Sequence, residues 1–175
     1  MDDKDKDMLI KLYEVTFNDE ALHIQYEQKT LSIYISLILA IVGGVLIVLK
    51  DIKDEYLQVM TLIIGGFLII LFCYIATRSF KSNYRRHLEA IAFRSKIEHL
   101  LDFDKDKFKS NSCWSEENLM MKRYLEDRRK YKNSEEFVQD RLNKGMAPVV
   151  RSVFISLGFL GSSLVMIGFY KIIIK

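Results

Sequence analysis

Proline occurs once in 175 residues, cysteine twice and histidine three times. A single proline, Pro148, leaves few places where a helix is forced to stop. Two cysteines, Cys73 and Cys113, supply neither a disulfide framework nor metal-ligand spacing, so no metal site is expected. Three histidines, His23, His87 and His99, restrict imidazole chemistry to isolated positions. No Gly-rich phosphate loop, Ser/His/Asp arrangement or pocket-forming carboxylate pair is present, so no cofactor is expected. Charge overall is ordinary at 28%. It is missing, however, from three long stretches.

Those stretches are Leu31–Leu49, Tyr56–Thr77 and Ser152–Tyr170, of 19, 22 and 19 residues. A 19-residue helix is about 28 Å long, close to the roughly 30 Å of a bilayer core. The pattern excludes an ordinary soluble enzyme of this size. It predicts an all-α fold, a multi-pass helical membrane protein with a helical region outside the lipid. No strand-like alternation of any length occurs. The expected organisation is an N-terminal helical arm at 1–30, a transmembrane hairpin at 31–77, a basic helical region at 78–147 and a third transmembrane helix at 148–175.

Charge distribution sets the expected orientation. Residues 78–147 carry 17 Lys/Arg against 12 Asp/Glu, whereas residues 1–30 carry four lysines against eight acids. Basic segments stay in the cytoplasm and acids count little in that rule. The expectation is therefore a cytoplasmic (inner) membrane protein with its N-terminus inside, a short outer turn at 50–55, and Lys175 outside. The acidic start Met1-Asp2-Asp3-Lys4 does not resemble a cleavable signal peptide, so the first span is expected to direct insertion. Basic residues around Lys81–Lys96 suit anionic lipid headgroups.

Finer patterning predicts local structure. Ile10, Tyr13 and Phe17 are spaced for one helix face, and Ala21 and Ile24 continue it, a stripe expected to pack on a neighbour or a membrane surface. Asn18 reads as the N-cap of a helix running to Leu49. Leu88, Ile91, Ala92, Ile97, Leu100 and Leu101 predict an amphipathic helix over Ser79–Leu101. Ser115 and Ser134 read as N-caps of two further helices, the second ended by Gly145.

The first two spans share a local pattern, Ile41-Val42-Gly43-Gly44-Val45 and Ile63-Ile64-Gly65-Gly66-Phe67. Glycine pairs let helix backbones approach closely in lipid. Gly43, Gly44, Gly65 and Gly66 are thus candidates for a tight hairpin or a subunit interface. In the third span Ser152, Ser156 and Ser163 share one face, which reads as helix packing or, in a ring of subunits, a mildly polar pore lining. No span holds an ionisable residue, which argues against a proton relay or voltage sensor.

One constellation bears on chemistry. Arg94-Ser95-Lys96-Ile97-Glu98-His99 has the Arg-to-His spacing of HEPN ribonucleases, in which the two residues meet across a dimer on an RNA phosphate and a 2′-hydroxyl. On one helix Arg94 and His99 stand about 140° apart, so a site requires two subunits. The alternative is two polar residues on a solvated helix. Trp114 and Tyr124 lie among Lys122, Arg123, Arg128, Arg129 and Lys130, a mixture that can stack on single-stranded RNA or simply form a charged helix face.

Taken with the spans and the basic helical region, the RSKIEH motif makes the chain resemble the membrane accessory proteins of type VI-B CRISPR systems. It is also similar to the broader RipA-like family of octameric membrane proteins. The resemblance implies a homo-oligomer of eight subunits around a membrane pore. It implies a role in antiphage (antiviral) defence, with the RNA-guided RNase of the CRISPR system as functional partner and membrane depolarisation as the outcome. It places Arg94 and His99 on a HEPN-like motif, in which Lys96 departs from the usual third position. The expected function is thus a non-enzymatic defence pore. A membrane-tethered ribonuclease and a non-catalytic scaffold are the alternatives.

Overall fold

The computed structural model describes residues 3–101 and 130–174, and all regular structure among them is helical. Four helices follow one another: α1 (Asp3–Asp51), α2 (Glu55–Leu100), α3 (Ser134–Lys144) and α4 (Met146–Ile173). The chain is all-α, with three helical stretches long and apolar enough to cross a membrane. Contacts divide it into two compact units. One unites 1–25 with 84–144, the other 26–83 with 145–175. The boundaries between these units fall at 25/26, 83/84 and 144/145.

The helices are longer than the sequence pattern predicts. Asn18 is not an N-cap but an exposed residue inside α1, which runs unbroken over 49 residues. A mid-helix Asn costs only about 0.7 kcal/mol relative to Ala, too little to interrupt the backbone ladder without a nearby Gly or Pro. Likewise Ser79–Leu101 is not a separate helix but the second half of α2. Leu88, Ala92 and Ile97 are buried there as expected, whereas Leu100 is exposed. The predicted Ser115 helix, with Cys113, Trp114, Lys122, Arg123, Tyr124, Arg128 and Arg129, lies outside the described residues.

In the unit formed by 26–83 and 145–175, α2 is the shared partner. Its buried residues, besides Gly65, are Val59, Leu62, Gly66, Ile69, Cys73, Ala76 and Phe80. They alternate at spacings of three and four, the seam of a left-handed helix pair. Gly65 lies against Val45 and Ile41 of α1. Gly66 meets α4, where an added Cβ would stand 2.5 Å from the Gly161 carbonyl oxygen and 2.6 Å from Val165. Reciprocally, a Cβ on Gly161 would lie 2.8 Å from the Gly66 oxygen. Gly168 abuts Leu62 and Ile63, so α4 runs antiparallel to α2. Phe154, Gly161 and Gly168, every seventh residue of α4, are its buried positions together with Val150.

The two glycine pairs of the sequence are thus unlike. Gly65 and Gly66 each serve a different neighbour. Gly43 and Gly44 have nothing within 4 Å of the place a methyl group would take among the described residues.

The turn between α1 and α2 is closed by polar groups. Asp54 caps α2, accepting the backbone N–H of Tyr56 at 2.8 Å and of Leu57 at 3.2 Å. The Gln58 amide donates to the Ile52 carbonyl at 2.6 Å and the Leu49 carbonyl at 3.4 Å, satisfying the open end of α1. Lys171 of α4 donates to the Gln58 side-chain oxygen at 3.4 Å.

In the other unit, α3 is capped one residue earlier than predicted. Asn133, not Ser134, accepts the Glu136 N–H at 2.8 Å. Ser134 instead accepts from Lys96 of α2 at 3.2 Å. Val138 and Leu142 are the buried face of α3. The Lys144 ammonium and the Tyr131 hydroxyl, both hydrogen-bonded to Asp140, hold its carboxyl below the usual carboxylate range. Gly145 separates α3 from α4, and Pro148 sits in the first turn of α4, where no intrahelical N–H is lost.

The glycine geometry predicts opposite outcomes for one substitution. Gly66→Ala and Gly161→Ala overpack a backbone contact and destabilise by about 1–3 kcal/mol. Gly43→Ala and Gly44→Ala meet open space and remain neutral or gain up to about 1 kcal/mol in helix propensity. Thermal unfolding of the detergent-solubilised protein, followed by circular dichroism, separates the two groups.

Candidate functional site

Within the unit of 1–25 and 84–144, the first part of α1 meets α2 through polar side chains. The inward-facing residues of α1 are Leu9, Tyr13, Thr16, Glu20 and His23, again spaced three and four apart. Thr16 is 6% exposed and returns its hydroxyl to the Leu12 carbonyl at 2.7 Å. Glu20 pairs with Arg94 of α2. Arg94 also meets Glu98 one turn on, with Nε 3.4 Å from Oε1. The Tyr13 hydroxyl donates to the same Glu98 oxygen at 3.4 Å. Glu98 is 4% exposed, a degree of burial that a carboxylate tolerates only when paired.

Two carboxylates therefore share one guanidinium. Each carboxylate neutralises part of the Arg94 charge, Glu20 lying against Nη1 and Glu98 against Nε of its guanidinium. An arginine so engaged is a poor ligand for an RNA phosphate. His99 is exposed and about 140° around α2 from Arg94. Within one chain the structure brings Arg94 to Glu20, Glu98 and Tyr13, and it does not bring His99 to the same place. His87 is half-buried, edge-on to Tyr84 with ring centroids 6.1 Å apart.

Glu20 and Glu98 do not stand out in the sequence as site residues. A signal is there: Thr16, Glu20, His23, Glu27 and Thr30 repeat at alternating spacings of three and four, a polar seam parallel to the apolar stripe. The stripe Ile10, Phe17 and Ile24 is exposed instead, at 41%, 54% and 38%. Only Tyr13 among its predicted members turns inward.

In the unit of 26–83 and 145–175, the serines of α4 lie on the face turned away from α2. Ser152, Ser156 and Ser163 are exposed, while Phe154, Gly161 and Gly168 make the contact. Among the described residues nothing buries the serine stripe. Ser156 donates to the Ser152 carbonyl at 3.0 Å, and Ser163 donates to the Phe159 carbonyl at 2.9 Å. This internal bonding satisfies the one hydroxyl proton and leaves the oxygen lone pairs facing outward, able to accept from water. Large apolar residues share the outer surfaces, among them Leu46, Phe67, Tyr74, Phe159 and Met166, each more than half exposed. Such a surface exceeds what water tolerates on a monomer and suits lipid.

No protein-family model, curated protein or solved structure matches the chain.

The charge cluster predicts a graded loss. Arg94→Ala leaves the buried Glu98 and the half-buried Glu20 without their shared cation and destabilises by up to about 3–5 kcal/mol. Glu20→Gln keeps a hydrogen-bonding partner for Arg94 and removes one of two competing negative charges, so its cost is smaller. Denaturant unfolding of the two variants in the same detergent tests the order.

Proposed function

We propose that the chain is a subunit of a homo-oligomeric pore in the cytoplasmic membrane, with its N-terminus inside, and that the pore acts in antiphage defence. The observation that carries this reading is the outer face of α4. A stripe of hydroxyls at Ser152, Ser156 and Ser163 is presented on a span free of ionisable groups, and no other part of the described chain packs on it. In a bilayer a lone helix gains nothing from such a stripe. Around a central axis, several copies turn it into a mildly polar wall that water can wet. Absence of fixed charge along the spans suits a conduit of low ionic discrimination, opened by assembly or by wetting of a narrow apolar segment.

The likeness in layout to the accessory proteins of type VI-B CRISPR systems supports placing this pore downstream of an RNA-guided RNase, with eight copies as the expected number. On this reading the protein is not an enzyme, and the buried Arg94 cluster is structural. A ribonuclease function needs Arg94 to leave Glu20 and Glu98, which is why it is the weaker reading.

Co-expression with an activated type VI-B effector is expected to collapse the membrane potential, measured with a voltage-sensitive dye. Purified protein in liposomes is expected to pass small ions, and the triple substitution Ser152→Leu, Ser156→Leu, Ser163→Leu to reduce that flux at least tenfold. Normal potential in cells that remain protected against phage overturns the pore.

A further inference from the structure

The first turns of α1 carry three kinds of surface. One is the polar inner seam toward Arg94 and Glu98. A second is the outermost ridge, Asp7, Lys11, Glu14, Asn18 and Gln25, all polar and all exposed. Between them, one on each flank, run two apolar stripes. Met8, Val15 and Leu22 form one, at 63%, 61% and 45% exposure. Ile10, Phe17 and Ile24 form the other. Both repeat every seventh residue, and at about 100° per residue they stand roughly 160° apart around the helix.

A helix lying on a membrane surface needs one continuous apolar face opposite one polar face. Here a charged ridge divides the apolar surface in two. That arrangement fits a helix with a neighbour on either side. The charges beside each stripe identify the neighbour. On the outer edge of the Met8 stripe stand Lys4 and Lys11. On the outer edge of the Ile10 stripe stand Asp7 and Glu14. All four are exposed, and both pairs keep the seven-residue repeat. The inner edges are opposed in the same sense, Asp5 beside the Met8 stripe and Lys6 beside the Ile10 stripe.

We infer that the arm is a subunit interface, in which the Met8–Val15–Leu22 stripe of one copy packs against the Ile10–Phe17–Ile24 stripe of the next. All copies insert in one orientation, so the neighbouring α1 helices run parallel and the two seven-residue repeats stay in register. Lys4 and Lys11 of one copy then face Asp7 and Glu14 of its neighbour, as flanking charges do in a parallel coiled coil. A two-fold contact of like stripes sets lysine against lysine or acid against acid, which is repulsive. The favoured contact is head-to-tail, and in a membrane it continues from copy to copy until the ring closes. This inference rests on the homo-oligomer reading and specifies its contact.

Light scattering of the full-length protein in detergent tests it by charge exchange. Wild type is expected to exceed a dimer. Lys4→Glu with Lys11→Glu, and separately Asp7→Lys with Glu14→Lys, each place like charges at every contact. Each is expected to raise the concentration of half-dissociation roughly tenfold. Mixing the two variants restores opposite charges between alternating copies and is expected to restore the wild-type mass. In membranes, with Cys73 and Cys113 replaced by serine, oxidation of the Val15→Cys, Phe17→Cys double variant is expected to give a ladder beyond dimer, and neither single variant a dimer.

A monomeric wild type overturns both the oligomer and this interface. An oligomer that ignores the charge reversals and gives no ladder keeps the oligomer and overturns the interface. Dimers from Val15→Cys alone show a two-fold contact and overturn the head-to-tail geometry.

Discussion

Three long uncharged stretches are apolar and long enough to cross a membrane, and in such a medium every backbone N–H and C=O has to find its partner within its own segment, because lipid offers none. The helices follow from that constraint, and so do the details. Ser156, Ser162, Ser163, Thr61 and Thr77 each return a hydroxyl to a carbonyl one turn back. Where α1 must end, Gln58 supplies donors to the Leu49 carbonyl in its last turn and the Ile52 carbonyl just beyond it, and Asp54 supplies an acceptor to the first amides of α2. Polar side chains at these places serve the backbone first. The serine stripe of α4 can therefore face outward without a buried cost.

Hydrophobicity gives helices in lipid no reason to prefer one another, so contact is decided by how closely backbones approach. Gly66 and Gly161 approach closely enough that neither admits a methyl group without displacement. Outside the apolar stretches the logic changes. There α1 is held to α2 by Glu20, Arg94, Glu98 and Tyr13. Breaking a buried ion pair is costly even where forming it contributed little net stability, so such a contact fixes register more than it adds strength. Placing charge on the inner seam also frees the apolar residues of α1 for use elsewhere, on its two flanks.

The all-α class and the three spans were legible because they depend on composition and period alone. Capping was legible to within a residue: Asn133 rather than Ser134 closes the start of α3. Helix ends were less so. Asn18 favours a cap in isolation, but a cap needs a break, and nothing near it breaks the chain. The expected stripe of Ile10, Phe17 and Ile24 is a real feature, but it points away from α2. An apolar stripe names a contact without saying with whom, and within this unit Arg94 recruits the polar side of the helix instead.

Composition by itself determined that this chain is helical and that three of its stretches are long and apolar enough to cross a membrane, since charge density and segment length are properties of the linear chain. Which glycine touches which helix, which side of α4 its serines take, and that Arg94 belongs to two carboxylates and not to His99 were decided only when distant segments met. Glycine pairs of similar local sequence at 43–44 and 65–66 end in open space and in tight contact respectively. Local sequence cannot distinguish them, because the difference lies in the partner helix and not in the glycines.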